Sequence, residues 1–224
     1  QLEAARRKAR IGMELSGLRV GLGSEGSFGP DPFSGLFPWN VELLVLIDDR
    51  LGIEVLGVAQ SAAQSGHLQT GDWKAVARFV EQQGFPAHQL VMRPRDQHDP
   101  RLRKGITNWT ELQASFERCA HEAGNGQVFV ETELRAFANP TRMRRIAEAA
   151  DDLRQRLQSP CPACDAPGYW VVEREPGLPC AACCMPTQAW LNEVRQCPGC
   201  RHRVVSARTD RGSCDPQYCV HCNP

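Results

Sequence analysis

The sequence predicts an α/β chain, a mixed sheet covered by helices, carrying a C-terminal zinc-ribbon-like domain. Two observations predict it. Ten of the eleven cysteines lie after residue 160, and the residues before that point alternate between helical and strand periodicity. So sharp a change of composition marks a boundary near Ser159, giving an α/β domain over residues 1–158 and a cysteine-rich domain over 159–224. An apolar share of 42% with 23% charged residues is that of a chain able to bury a core, which excludes a disordered or fibrous protein.

The elements follow in order. Residues 2–15 have helical periodicity, and 18–22 form a short strand. A loop rich in Gly and Pro follows over 23–38. Residues 41–47 and 53–59 read as strands joined around Asp48-Asp49-Arg50-Leu51-Gly52, a hairpin. Residues 73–83 are helical and 88–92 a strand. Asn108-Trp-Thr-Glu111 reads as a capping box that opens a helix to about Glu122. Residues 127–131 form a buried strand, and Asn139-Pro140 starts a long helix, with Asn as the cap and Pro in the first helical position. Cys119 lies in a helical pattern and reads as a small buried apolar side chain.

Eight cysteines form four C-x-x-C pairs: Cys161/Cys164, Cys180/Cys183, Cys197/Cys200 and Cys219/Cys222. Such a turn aims two thiolates at one point, and two turns complete a tetrahedral cage around zinc, so the segment is expected to hold two zinc ions. Consecutive pairing, first with second and third with fourth, is preferred on spacing; a cross-braced order stays open. Cys184, Cys214, His202 and His221 are alternative ligands. A disulfide framework fits poorly, because no secretion signal precedes it and C-x-x-C disulfides are strained. A segment with so few large apolar residues needs such metal sites to fold, since each contributes on the order of 10 kcal/mol in zinc-finger peptides.

Charge narrows the partners. Lys plus Arg and Asp plus Glu both number 26, so the chain lacks the cationic field with which non-specific nucleic-acid binders neutralise phosphates. Nucleic acid is therefore an unfavoured partner, and would need Arg195, Arg201, Arg203, Arg208 and Arg211 to gather on one face. No apolar run approaches the roughly 18 residues of a membrane span. The reduced thiols and the missing signal pattern point to the cytoplasm. The chain opens on Gln1 and reads as a fragment or processed product.

Three segments outside the cysteines could carry chemistry. Gly21-Leu-Gly-Ser-Glu-Gly26 matches a dinucleotide fingerprint in letters, but the prolines that follow forbid the required helix; what remains is a strand ending in a loop with Glu25 beside Ser24 and Ser27. In Glu131-Thr-Glu-Leu-Arg135, two carboxylates that share a side of an extended strand suit a divalent metal. There Arg135 and the helix start at Asn139 suit a phosphate. A salt-bridged loop, with Arg135 neutralising its neighbours, is the equal alternative. Residues 93–104 form a basic, mobile loop that reads as solvated surface.

Ser24-Glu-Gly-Ser-Phe-Gly-Pro30, Lys104-Gly-Ile-Thr-Asn-Trp109, Glu131-Thr-Glu-Leu-Arg-Ala136, Asn139-Pro-Thr-Arg-Met143, Gly177-Leu-Pro-Cys180 and Cys222-Asn-Pro224 together resemble an uncharacterised bacterial family, a domain of unknown function, over essentially the whole chain. That resemblance implies no activity. Ala5-Arg-Arg-Lys-Ala9 on a helix, then a strand ending in Ser24-Glu-Gly26 and a hairpin, is more faintly similar to nucleoside triphosphate pyrophosphatases acting on non-standard nucleotides. This second resemblance implies a magnesium ion held by Glu25 with Glu131 or Glu133, and a nucleotide or other phosphate ester as substrate. The competing expectation is a non-catalytic module that binds protein or nucleic acid through its zinc half.

Overall fold

The computed structural model describes residues 1–63 and 65–224. They divide into two units, one made of Gln1–Glu25, Leu43–Val58 and Ala150–Pro224, the other of Gly26–Glu42 and Ala59–Ala149. Strands β1 (Val20–Pro30), β2 (Pro38–Asp48) and β3 (Ile53–Ala62) form a three-stranded sheet in the order β1-β2-β3, and contribute residues to both units.

In the first unit, helix α1 (Leu2–Ser16) buries Ala5, Ala9 and Met13 against Val45 and Ile47. These three helical positions are four apart, so they stack along one face. Small residues there let the helix approach β1 closely. A Cβ on Gly21 would lie 2.5 Å from Met13 Cγ and 2.8 Å from the Ala9 carbonyl oxygen; one on Gly23 would collide with the backbone of Ala5. The two glycines are two apart in a strand and so face the same way. This corrects the expectation of a loop over 23–38. The strand continues to Pro30 and the loop is confined to 31–37, because here glycine provides close packing rather than flexibility.

That contact yields a prediction. Gly23→Ala forces backbone apart, whereas Gly21→Ala is relieved in part by rotation of Met13. Both should destabilise by about 1–3 kcal/mol or more, Gly23→Ala the more severely, as measured by urea unfolding. Equal stability of the Gly23→Ala protein and the parent would refute the packing account.

The hairpin forms where expected. The Asp48 carboxylate accepts the N–H groups of Arg50 and Leu51 at 2.8 and 3.4 Å, and Gly52 takes φ +64°. The Arg50 guanidinium, and after it these backbone bonds, hold the Asp48 pKa at about 2, well below that of an ordinary carboxylate.

The second unit is built on a four-stranded sheet in the order β4-β7-β5-β6, from β4 (His67–Thr70), β5 (Leu90–Pro94), β6 (Arg103–Ile106) and β7 (Val128–Thr132), every pairing antiparallel. The apolar runs Leu90-Val91-Met92 and Val128-Phe129-Val130 lie in the two inner strands of the sheet, β5 and β7. Helix α2 (Trp73–Gln82) packs beside β4, and α3 (Trp109–Ala123) lies against β5, β6 and β7. Their contact buries Val76, Val80, Leu90, Met92, Leu112 and Cys119. Asn108 caps α3 by accepting the Glu111 N–H at 2.9 Å, while the Glu111 carboxylate accepts from Thr107, one residue before the expected partner. Asn139 caps α4 (Pro140–Leu157) as expected, accepting the Arg142 N–H at 3.0 Å.

Strands β4 and β6 are absent from the sequence reading. Each is four residues long, and β6 starts inside the basic segment read as a mobile loop. That segment is tied around Asp99, whose fully buried carboxylate accepts the Arg101 backbone N–H at 3.0 Å and pairs with the Arg101 and Arg95 guanidiniums at 2.6 and 3.5 Å.

After α4 the chain forms a second antiparallel sheet in the first unit, in the order β10-β9-β8, from β8 (Trp170–Pro176), β9 (Trp190–Gln196) and β10 (Arg203–Ala207). No helix among the described residues is long and apolar enough to cross a membrane.

Candidate metal centres

The register of this sheet decides which cysteines meet. Trp170, the first residue of β8, lies opposite Gln196, the last of β9, and Pro176 lies opposite Trp190. Arg203, the first residue of β10, is again opposite Gln196. Cys161/Cys164 precede β8 and Cys197/Cys200 follow β9, so both stand at one end of the sheet. Cys180/Cys183 fall in the β8–β9 connection and Cys219/Cys222 follow β10, so both stand at the other. A seven-residue strand spans about 20 Å, too far for the first pair to reach the second.

The thiols gather accordingly, Cys161, Cys164, Cys197 and Cys200 in one cage and Cys180, Cys183, Cys219 and Cys222 in the other, all four sulfurs of each within 4.8 Å of one another. All eight expected ligands are in place. The preferred consecutive pairing is corrected: the first pair joins the third and the second joins the fourth, because an antiparallel meander returns alternate connections to the same end.

Sulfur separations give the chemistry. They are 3.7 Å for Cys161–Cys200 and Cys164–Cys197, 3.8 Å for Cys180–Cys222 and 3.6 Å for Cys183–Cys219. A tetrahedron with metal–sulfur bonds of ~2.3 Å has edges of ~3.8 Å. Disulfides would require ~2.05 Å, and all eleven cysteines are free thiols. A polynuclear iron–sulfur cluster, with iron and sulfide between the thiolates, would hold them farther apart. Each cage has the dimensions for one tetrahedral ion.

Three of the four turns share one backbone design. The N–H of Cys161 donates to the Ala166 carbonyl and that of Asp165 to the Cys161 carbonyl, both at 2.9 Å. The same two bonds recur at Cys180, with Met185 and Cys184, and at Cys197, with His202 and Arg201. Asp165, Cys184 and Arg201 accordingly take φ +58°, +60° and +63°. In this turn, backbone N–H groups point at the first sulfur, those of Ala163 and Ala182 lying 3.4 Å from Cys161 Sγ and Cys180 Sγ. The N–H groups of Cys183 and Ala182 bring the Cys180 thiol down to about 7. A hydrogen bond with the Cys183 side chain, with burial, pushes the Cys222 thiol up to about 12. Four such thiols do not all ionise without a cation among them. Cys184 is exposed, and Cys214 is buried beside the second cage, its backbone bridging to Cys180. Neither belongs to a four-thiol set, nor do His202 and His221.

The acidic candidates each engage a cation. Glu25 pairs with Lys8 at 2.5 Å, Glu131 with Arg93 at 3.0 Å and Glu133 with Arg135 at 2.6 Å. β7 ends at Thr132, so Glu133 lies beyond the strand and is buried, while Glu131 is half-buried. Burial pushes the Glu133 carboxyl up, but the Arg135 guanidinium and N–H outweigh it and leave the group below its ordinary value. Arg135 also lies over the Phe137 ring, 4.8 Å from its centroid. Ser24 presents its carbonyl to Lys8 at 3.1 Å, and the Ser27 carbonyl accepts from Asn40 at 3.2 Å. Among the described residues, the sets of three or more His, Cys, Asp or Glu placed to hold a metal ion are the two cysteine cages.

One constellation escapes the sequence reading. Glu42, only 1% exposed, accepts from Arg142 Nε at 2.7 Å and from Asn40 Nδ2 at 3.0 Å. Arg142 Nη1 donates to the Leu134 carbonyl at 2.6 Å, and Asn139 Nδ2 to the Glu133 carbonyl at 3.3 Å. A Cβ on Gly26 would lie about 2.5 Å from the Glu42 carboxylate oxygens. The motifs around Gly26, Glu133 and Asn139 thus converge on one buried ion pair. Its sequence signal is the lone Glu42 inside an apolar strand.

Antiparallel β-structure with a four-cysteine cage at each end of one sheet defines a protein with two sites that could each hold a metal ion. The chain belongs to the family described as domain of unknown function DUF6671, whose model matches residues 8–224. Comparison with curated proteins and with solved structures finds no match.

Proposed function

We propose that this protein is a zinc-stabilised, non-enzymatic binding module. The observation that carries the reading is closure: four thiolates at tetrahedral spacing leave no coordination position for water or substrate. An all-sulfur tetrahedral set selects zinc or iron, and zinc is the ion without redox chemistry. The ion pairs at Glu25, Glu131 and Glu133 support the non-enzymatic part, because the negative charge a magnesium ion would need is already matched. A nucleic-acid partner draws little support, since Arg203 pairs with Glu173, and Arg208 and Arg211 with Asp210.

Metal analysis of the purified protein tests the reading, with magnesium-dependent phosphate release from a nucleotide panel assayed in parallel. The expected result is two zinc ions per chain, a colourless protein and no turnover. Iron with visible charge-transfer bands would overturn the zinc assignment. Turnover abolished by Glu25→Gln would overturn the non-enzymatic one.

A further inference from the structure

Beside the first cage, within the first unit, lies a cavity of about 310 Å³. Glu54, Val55 and Leu56 of β3 and Trp170, Val171 and Val172 of β8 line it, together with Pro198 of the metal-binding turn. Side chains on one face of a strand would contribute alternate residues; three in succession mean that the edges of β3 and β8, each the outermost strand of its sheet, form the walls.

The charges in this lining do not cancel. Glu54 is taken by Arg6 through contacts of 2.7 to 3.0 Å. Arg156 pairs with Asp152 at 2.9 Å, yet its Nε is buried with no hydrogen-bond acceptor. Arg201, held at φ +63° by the metal-binding turn, engages no carboxylate among the described residues. Two guanidiniums, of Arg156 and Arg195, lie 5.9 and 6.0 Å from the Trp170 ring centroid and restrain it. The cavity therefore offers apolar walls and one uncompensated cation, Arg201.

We propose that this cavity binds a small organic anion with a flat apolar body, its phosphate or carboxylate group meeting the Arg201 guanidinium on the side of the cavity that Arg156 also lines. The volume, near the lower end for small-molecule sites, suits a body of one or two rings. A single anionic group is specified over a polyanion, because Arg203, Arg208 and Arg211 beyond the cavity are paired with acids. The inference rests on the metal-centre reading to the extent that Pro198 and Arg201 are positioned by the first cage.

Phenyl phosphate is the probe, with inorganic phosphate and benzyl alcohol each carrying one half of its chemistry, titrated calorimetrically into full-length protein of measured metal content. Phenyl phosphate should bind at least tenfold more tightly than either control. Val172 is exposed at the cavity wall and is not one of the cage cysteines. Val172→Glu should weaken phenyl phosphate at least tenfold while Val172→Lys binds it at least as well as the parent, a sign reversal that a purely structural effect would not produce. Arg201→Ala should weaken it by a similar factor. Protein with two ions per chain that ignores phenyl phosphate, or binds it no better than benzyl alcohol, overturns this inference and leaves the zinc reading standing. Metal-free protein that still binds the probe overturns the zinc reading instead.

Discussion

The double variant Cys164→Ser/Cys197→Ser is expected to retain one metal ion per chain, and Cys164→Ser/Cys183→Ser to retain none. Cys164 and Cys197 belong to one cage, so the second substitution removes a ligand from a site already broken; Cys183 belongs to the other. Consecutive pairing would reverse the two counts, and native mass spectrometry distinguishes them directly. The effect on stability should be the largest of any substitution in the chain. A structural zinc contributes on the order of 10 kcal/mol, comparable to the whole stability of an ordinary domain. The apolar core around the first cage is small, with Tyr169 and Ala166 packed beside Cys161 and Cys197. Loss of both ions should therefore abolish the β10-β9-β8 sheet, seen as lost amide protection over residues 170–207.

Arg142→Met should destabilise the second unit by about 3–5 kcal/mol, since it leaves the buried Glu42 carboxylate without its counter-charge. The Leu134 carbonyl loses its donor in the same variant. Replacing both partners, Glu42→Met with Arg142→Met, removes the charges together and should recover most of that loss. The two single variants and the double, each unfolded in urea, close the cycle. A double variant as unstable as the sum of the singles would mean that Glu42 and Arg142 act independently, contrary to their 2.7 Å contact.

What the sequence reveals here follows the range of the interactions. The eight ligands are legible because a C-x-x-C turn is local: four residues determine where two sulfurs point. Their pairing is not, because the number of residues between turns says nothing about which end of a sheet each turn occupies. Helix α1 is legible from the spacing of Ala5, Ala9 and Met13, yet β1 is truncated in the reading, since Gly21 and Gly23 carry no strand signal and acquire meaning only against that helix. Strands β4 and β6 are too short to show a period. The segment over 93–104 looks like free cationic surface until Asp99 is seen at its centre, and Glu42 interrupts an apolar run with no indication that its partner lies one hundred residues away.

The crossing of the two cages has a mechanical consequence. Any single break of the backbone between Cys164 and Cys219 leaves one cage with cysteines on both pieces, and a break between Cys183 and Cys197 leaves two. Cages formed from consecutive turns would release the fragments at that central cut. With an ion in each cage, the two would act as rivets through overlapping lengths of chain, and a nicked molecule would stay joined until a chelator removed the metal.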